Sequence, residues 1–381
     1  MIRMNRSFGP FCRVLLLLLA AALFPAGAEA HAAASSAGRA EDTAAQEIAE
    51  EEPDVKRIVL GHVGDSYEWH IATAGGREWS LRLPVIVHSP SSGWHCFSAK
   101  RLRGGAEYEG LRIAADGDHA GKIVERQADG SDLRPLDLSI TKTVAGLLLN
   151  SALVVALVLG AARWYRGRKP DAAAPRGVVG LFETLVESLV DDLIEPCVGP
   201  SYRRFAPYLL TVFCFIFLNN LMGLIPFFPG GANVTGNIAV ALVLAVATFL
   251  VVNLSGSRHY WKDIFWPDVP TWLKVPVPII PLIELVGVFT KPFALMIRLF
   301  ANMLAGHAVI LSLTCVVFVT VKMGAAVNAS MTALSVLFSI FMNCLELLVA
   351  FLQAYVFTML SAVFIGLAQE RGGEADAGAE K

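Results

Sequence analysis

Residues 279–319 and 331–368 are two nearly unbroken apolar stretches, each close to forty residues long. As helix, each would run roughly 60 Å at 1.5 Å per residue. That is twice the hydrocarbon thickness of a bilayer, about 30 Å. Each stretch is therefore two spans or one long, strongly slanted helix. No Gly-Pro or Asn-Gly turn divides either one, and Pro292 lies too early to make a hairpin. The pattern predicts two long slanted helices.

Shorter apolar spans precede them at about 144–162, 207–228 and 236–255, the last two joined by a Pro-Gly-Gly turn, which makes five crossings. With 55% hydrophobic and 17% charged residues the chain is too apolar to be soluble throughout, and the excess lies between about 144 and 368. The expected fold class is an all-α integral membrane protein with a small β-rich N-terminal domain. The formal net charge of −2 and the lack of a basic block give no reason to expect nucleic acid as a partner.

The chain begins with a basic segment (Arg3, Arg6, Arg13), the apolar run "VLLLLLAAALF" and Ala28-Glu29-Ala30, a small-x-small site. Residues 1–30 read as a signal peptide, so the following segment is expected outside the cytoplasm. Residues 31–55 are Ala-, Glu- and Asp-rich without period and read as a disordered linker. From 56 to 135, "RIVLGHV", "YEWHIAT", "EWSLRLPVIVHS" and "EGLRIAA" alternate with Gly, Pro and Ser-Gly turns, the texture of a small exported β-rich domain. His62, His70, His88, His95 and Cys96 fall there without zinc-like spacing. Cys96 is the only cysteine of this region, so no disulfide can form within it. "GDHAGKI" is one residue too short for a phosphate loop and has no Ser or Thr after Lys122.

Arg163, Arg166, Arg168 and Lys169 follow the first span and place its end in the cytoplasm. Next, Glu183, Glu187, Asp191 and Glu195 recur every four residues opposite Leu181, Phe182, Leu185, Leu189 and Leu193. This predicts an amphipathic helix ended by Pro196. After the next two spans comes a cytoplasmic loop with Arg258, Lys262 and Lys274. Five crossings then put the tail, residues 371–381, in the cytoplasm.

The long stretches are not wholly apolar. Arg298 sits within one of them, and a guanidinium stays charged at any workable pH. At a bilayer centre it costs on the order of 3 kcal/mol on insertion scales, so its default reading is an ion pathway. Glu284, Lys291 and Arg298 are spaced by seven and share a helix face, which Asn302 joins; His307 lies about half a revolution away. On the last helix Asn343, Glu346 and Gln353 share one side. A hairpin of the two helices would present the arginine to one compartment and a His–Glu pair to another.

"KPFALMIRLFANMLAGH", followed later by "FLQAYVFTMLSAVFIGLA", resembles the two signature helices of subunit a of the F-type ATP synthase membrane sector. "FIFLNNLMGLIPFFPGGANVTGNIAVAL" resembles that family's preceding pair of spans, and "ITKTVAGLLLNSALVVALVL" its first span. The resemblance covers about residues 137–370 and leaves out 31–135. It implies a bacterial inner-membrane stator subunit beside a rotating c-ring, with peripheral-stalk b subunits and the rest of the synthase as partners. It also implies proton conduction, no cofactor, no metal and no nucleotide site, so the chain is no enzyme on its own. Arg298 matches the essential arginine that meets each ring carboxylate. His307 and Glu346 match a coupled pair of the outer half-channel, here in the order exchanged relative to some members. Asn302 and Gln353 match polar positions near the arginine, and Ala301 stands where the family usually has Gly. Glu284 and Lys291 complete the expected pathway set. A cation/proton antiporter would commonly carry internal repeats, and none is visible. An intramembrane hydrolase would need a Ser–His, paired-Asp or His-Glu-x-x-His constellation, which the spans lack.

Overall fold

The computed structural model describes residues 65–74, 77–114, 119, 121–127, 132–166, 175–225, 230–266 and 279–369. The expected signal peptide, the linker, the run at 57–63, Arg168, Lys169, Lys274 and the tail 371–381 lie outside these residues.

Eight short strands make up the first part: β1 (Glu68–Ala74), β2 (Arg77–Arg82), β3 (Pro84–Ser89), β4 (Gly93–Ser98), β5 (Leu111–Ile113), β6 (Ile123–Arg126), β7 (Asp132–Leu133) and β8 (Leu136–Asp137). They pair antiparallel as a β1–β2 hairpin and two three-stranded sheets, ordered β4-β3-β8 and β5-β6-β7. The run at 78–89 spans two strands. Pro84 cannot donate to a ladder and so occupies the first position of β3, in a different sheet from β2. Along β3, Val85 and Val87 turn inward onto Tyr67, Phe97, Leu102, Leu111 and Ile123, forming the core. Tyr67 donates from this core to Asp137, and its own phenol accepts from the Ile123 amide. Burial and the adjacent carboxylate push that phenol well above its usual range.

The remainder is helical: α1 (Lys142–Tyr165), α2 (Val178–Leu189), α3 (Glu195–Val198), α4 (Tyr202–Leu224), α5 (Ile238–Ser255), α6 (Arg258–Phe265), α7 (Ile279–Thr320) and α8 (Ala325–Gln369). Among the described residues, five helical segments are long and apolar enough to cross a membrane, one of them formed by 178–224 taken together. Helices α7 and α8 run undivided for 42 and 45 residues. The 3-10 turn Val321–Met323 and Gly324, at φ 101°, join them as a hairpin. Such a φ is open to glycine at no steric cost. The chain is thus a multi-pass membrane protein with a small β-rich region.

Pro196 does not end the amphipathic helix. A π-helical turn at Val190–Ile194 follows α2, and Glu195 donates back to the Val190 carbonyl. Pro196 then falls in the first turn of α3, where a missing N–H needs no partner. Winding stops at Gly199, at φ 76°. Leu189, Leu193, Ile194 and Val198 are buried, while Glu187, Asp191 and Glu195 are exposed and Glu183 is half-buried. The residues expected in a loop at 258–265 form α6, capped by the Ser257 hydroxyl on the Tyr260 amide.

Small residues let the long helices approach. Ala350, Ala354 and Ala362 of α8 are fully buried, and Gly366 lies against the Cys197 carbonyl of α3. Close packing and polar contacts, rather than apolar burial, hold helices together in lipid. The two ends of the bundle differ. At one, the β-rich region meets α1 and the α4–α5 loop. At the other, Ser257 donates to the Ala368 carbonyl at 2.8 Å and Gln369 to the Ser255 carbonyl.

Candidate functional site

Helix α7 divides its side chains by face. Leu295, Met296, Leu299 and Met303 turn inward and are at most 5% exposed. Arg298 falls between them on the outward face, exposed, and makes no hydrogen bond or ion pair with any described residue. Phe293 and Ile297 are exposed near it, and Asn302 and Lys291 are the polar residues of the same face. An unpaired guanidinium among lipid-facing side chains is costly, so this surface is suited to a carboxylate supplied from outside the chain.

One turn further, Asn302 donates to Gln353 Oε1 of α8 at 2.8 Å, and Gln353 is 4% exposed. The bond fixes the hairpin register beside the arginine. About 13 Å along the helix from Arg298, His307 Nδ1 lies 2.5 Å from Glu346 Oε1. These two atoms have the closeness of a charge contact but not the alignment of a hydrogen bond, and neither has another partner. His307 Nε2 lies 3.2 Å from the Gly223 carbonyl of α4. A carbonyl can only accept, so Nε2 carries a hydrogen and Nδ1 is the nitrogen turned to the acid. Glu346 is 5% exposed. Its space depends on Gly306, since a β-carbon there would come within 2.8 Å of Glu346 Oε1. Arg298 and Glu346 are not paired with each other.

Lys291 and Glu284 lie on the other side of Arg298, toward the end that carries α6. Lys291 Nζ sits 5.6 Å over the Phe364 ring. With Thr248, Asn253, Tyr260 and Pro292 it lines a cavity of about 30 Å³, room for one or two waters. Tyr260 donates to Asn253 at 3.3 Å. Burial, and then the Glu284 carboxylate, push its phenol upward. Neither Glu284 nor Lys291 touches the His307–Glu346 pair. Asn343 turns to its own helix, donating to the Ser339 carbonyl.

A second buried polar set carries no charge and stands out less in the sequence. Asn220 donates to the Ala350 carbonyl at 3.2 Å and accepts from Thr235 at 2.6 Å. Asn219 accepts from Asn150 of α1 at 2.9 Å. Asparagines inside apolar spans, Asn150 in α1 and the adjacent Asn219 and Asn220 in α4, are the local sign of this network, which ties α1, α4, the α4–α5 loop and α8 into one frame around the histidine.

In the β-rich region His88 meets Trp94 edge-on, with ring centroids 4.8 Å apart. His95 lies between Ser92 and Glu109. Its hydrogen bond holds the Glu109 carboxyl below its ordinary range. Among the described residues, no three His, Cys, Asp or Glu side chains are grouped to hold a metal ion.

Both the helical and the β-rich parts of the chain match known families. A family model described as ATP synthase A chain matches residues 148–366. A second, for a domain of unknown function, matches residues 58–138. The chain is 47% identical over 242 residues to ATP synthase subunit a 2 of Chlorobaculum tepidum, a match covering 61% of this chain and 64% of that relative. It is 45% identical over 245 residues to ATP synthase subunit a of Chlorobium phaeobacteroides, covering 63% and 68%. To ATP synthase subunit a of Anaeromyxobacter dehalogenans it is 34% identical over 333 residues, covering 82% and 80%, which reaches beyond the membrane part into the β-rich region.

Proposed function

Because the chain belongs to the ATP synthase A chain family, we propose that it is the static, proton-conducting subunit of an ATP synthase membrane sector. In this reading it couples transmembrane H⁺ flow to rotation of a ring of c subunits. The observation that carries it is Arg298, exposed on a membrane-spanning helix and without a partner among the described residues. A ring carboxylate passing this face stays ionised beside the fixed positive charge, so it cannot cross the arginine protonated and short-circuit the device.

Two half-pathways then serve opposite sides of Arg298. His307 and Glu346, steadied by Gly223 and Gly306, form the outer one. The inner one opens toward the end where Lys291, Glu284 and the small cavity lie. Asn302 and Gln353 position the helices at the arginine. The c subunits are the rotating partner, and peripheral-stalk b subunits and the remaining synthase subunits are the static ones. The chain resides in the bacterial inner membrane, with the β-rich region exported, residues 1–30 a signal peptide and the tail 371–381 cytoplasmic. It needs no cofactor and binds no nucleotide.

Arg298→Ala is expected to abolish proton-driven ATP synthesis while the complex still assembles, because it removes a charge from an exposed face and no packing group. Arg298→Lys is expected to fail as well, since an ammonium lacks the planar fork and can deprotonate when desolvated. ATP synthesis in energised vesicles, normalised to assembled complex, is the measurement. Native coupled rates in either variant would overturn the reading.

A further inference from the structure

The β-rich region is built into the membrane part at two points. The first is the entry of α1. Asp65 accepts from the Thr143 amide at 3.0 Å, and the Ser66 carbonyl accepts from the Lys142 amide at 2.8 Å. Residues before the helix thus satisfy two of its free first-turn donors, with a carboxylate at the favourable end of the dipole.

The second is Trp69 of β1. It is 2% exposed and forms a separate apolar cluster with Ala232 and Val234 of the α4–α5 loop, flanked by Ala145 and Leu147 of α1. Gly146 makes the approach possible. A β-carbon there would come within 2.6 Å of the Ala232 β-carbon and reach the edge of the Trp69 ring. The clamped loop leads directly to the polar frame. Thr235, next to Val234, donates to Asn220, which in turn holds the Ala350 carbonyl one turn from Glu346. Gly231 donates to the Met222 carbonyl at 3.2 Å, and the neighbouring Gly223 carbonyl is the one that meets His307.

We infer that Trp69 is a positioning residue for proton transfer: it clamps the α4–α5 loop and thereby holds the frame that sets the His307–Glu346 pair. This rests on the reading of that pair as the outer half-pathway. The β-rich region is accordingly a brace on the mouth of the membrane part, and its indole acts on the transport step through Thr235, Asn220 and Gly223 without touching the pair.

The test uses the whole synthase in native membranes. Trp69→Ala should lower ATP-driven proton pumping several-fold per assembled complex, and Trp69→Phe, which keeps an aromatic plug, should restore most of it. In a chain whose exposed Cys96 is removed by Cys96→Ser, a cysteine introduced by Val234→Cys should resist a membrane-impermeant maleimide, and combining it with Trp69→Ala should make it reactive. Native pumping in assembled Trp69→Ala overturns the inference, and so does ready labelling of Val234→Cys beneath an intact Trp69. The Val234→Cys measurement decides the matter if Trp69→Ala fails to assemble. Arg298→Ala is assayed in parallel: pumping that survives it overturns the underlying reading, whereas pumping lost there and unchanged in Trp69→Ala overturns the brace alone.

Discussion

His307 and Glu346 share one contact of 2.5 Å, His307 also meets the Gly223 carbonyl, and Gly306 leaves the room that Glu346 occupies. His307→Glu would put two acids in contact, and Glu346→His two imidazoles, so each single change is expected to impair proton transport. The double exchange restores one acid and one base in the reversed order, which the family resemblance says is tolerated. Proton pumping in inverted vesicles across the double-mutant cycle should therefore show strong non-additivity. Simply additive effects would uncouple the two side chains and move the outer route elsewhere. The charged members of the site were legible in the sequence because an ionisable residue stands out in an apolar run, and helical spacing alone put Asn302 beside Arg298. Gly306 and the Asn220–Thr235 bond were not legible, because their role exists only in contacts between distant segments.

The elements read differently according to what fixes them. Helices α7 and α8 could be foreseen as single units because nothing in either stretch could turn the chain. The end of the amphipathic helix at Gly199 could not, since a π turn has no residue signature of its own and it moved Pro196 into a harmless first-turn position. Strands β4, β6, β7 and β8 were missed for a related reason: two to six residues carry too little pattern, and pairing with other segments decides their state. The crossing of α3 and α8 gives the element-scale prediction. Gly366 meets the Cys197 carbonyl too closely for any side chain, and a backbone oxygen cannot swing away. Gly366→Ala should cost about 1–3 kcal/mol, as overpacking does. The measurement is the temperature at which this subunit leaves the detergent-solubilised complex. An unchanged temperature would mean that the helices are not packed as closely as described.

For the molecule as a whole, every candidate pathway residue lies after position 200, so removing residues 36–130 leaves the route itself in place. Removal nevertheless uncovers Ala232 and Val234 and strips α1 of its first-turn partners. The expected phenotype is an assembled complex that pumps no better than Trp69→Ala and whose residual pumping is still abolished by Arg298→Ala. Vesicle pumping per assembled complex measures it. Complete assembly with no conduction would put part of the route inside the deleted region, and native rates would deny the brace.

The long separation in sequence between α4 and α8 has a consequence for biogenesis. Asn220 enters the bilayer 130 residues before the Ala350 carbonyl it will hold, a gap of about 6 to 26 s at ribosomal rates of roughly 5–20 residues per second. During that interval its side chain waits in lipid without this partner, and His307 waits for its acid. The emerging subunit is then a set of inserted helices with open polar contacts, most exposed to proteolysis and to mispairing just before α8 arrives.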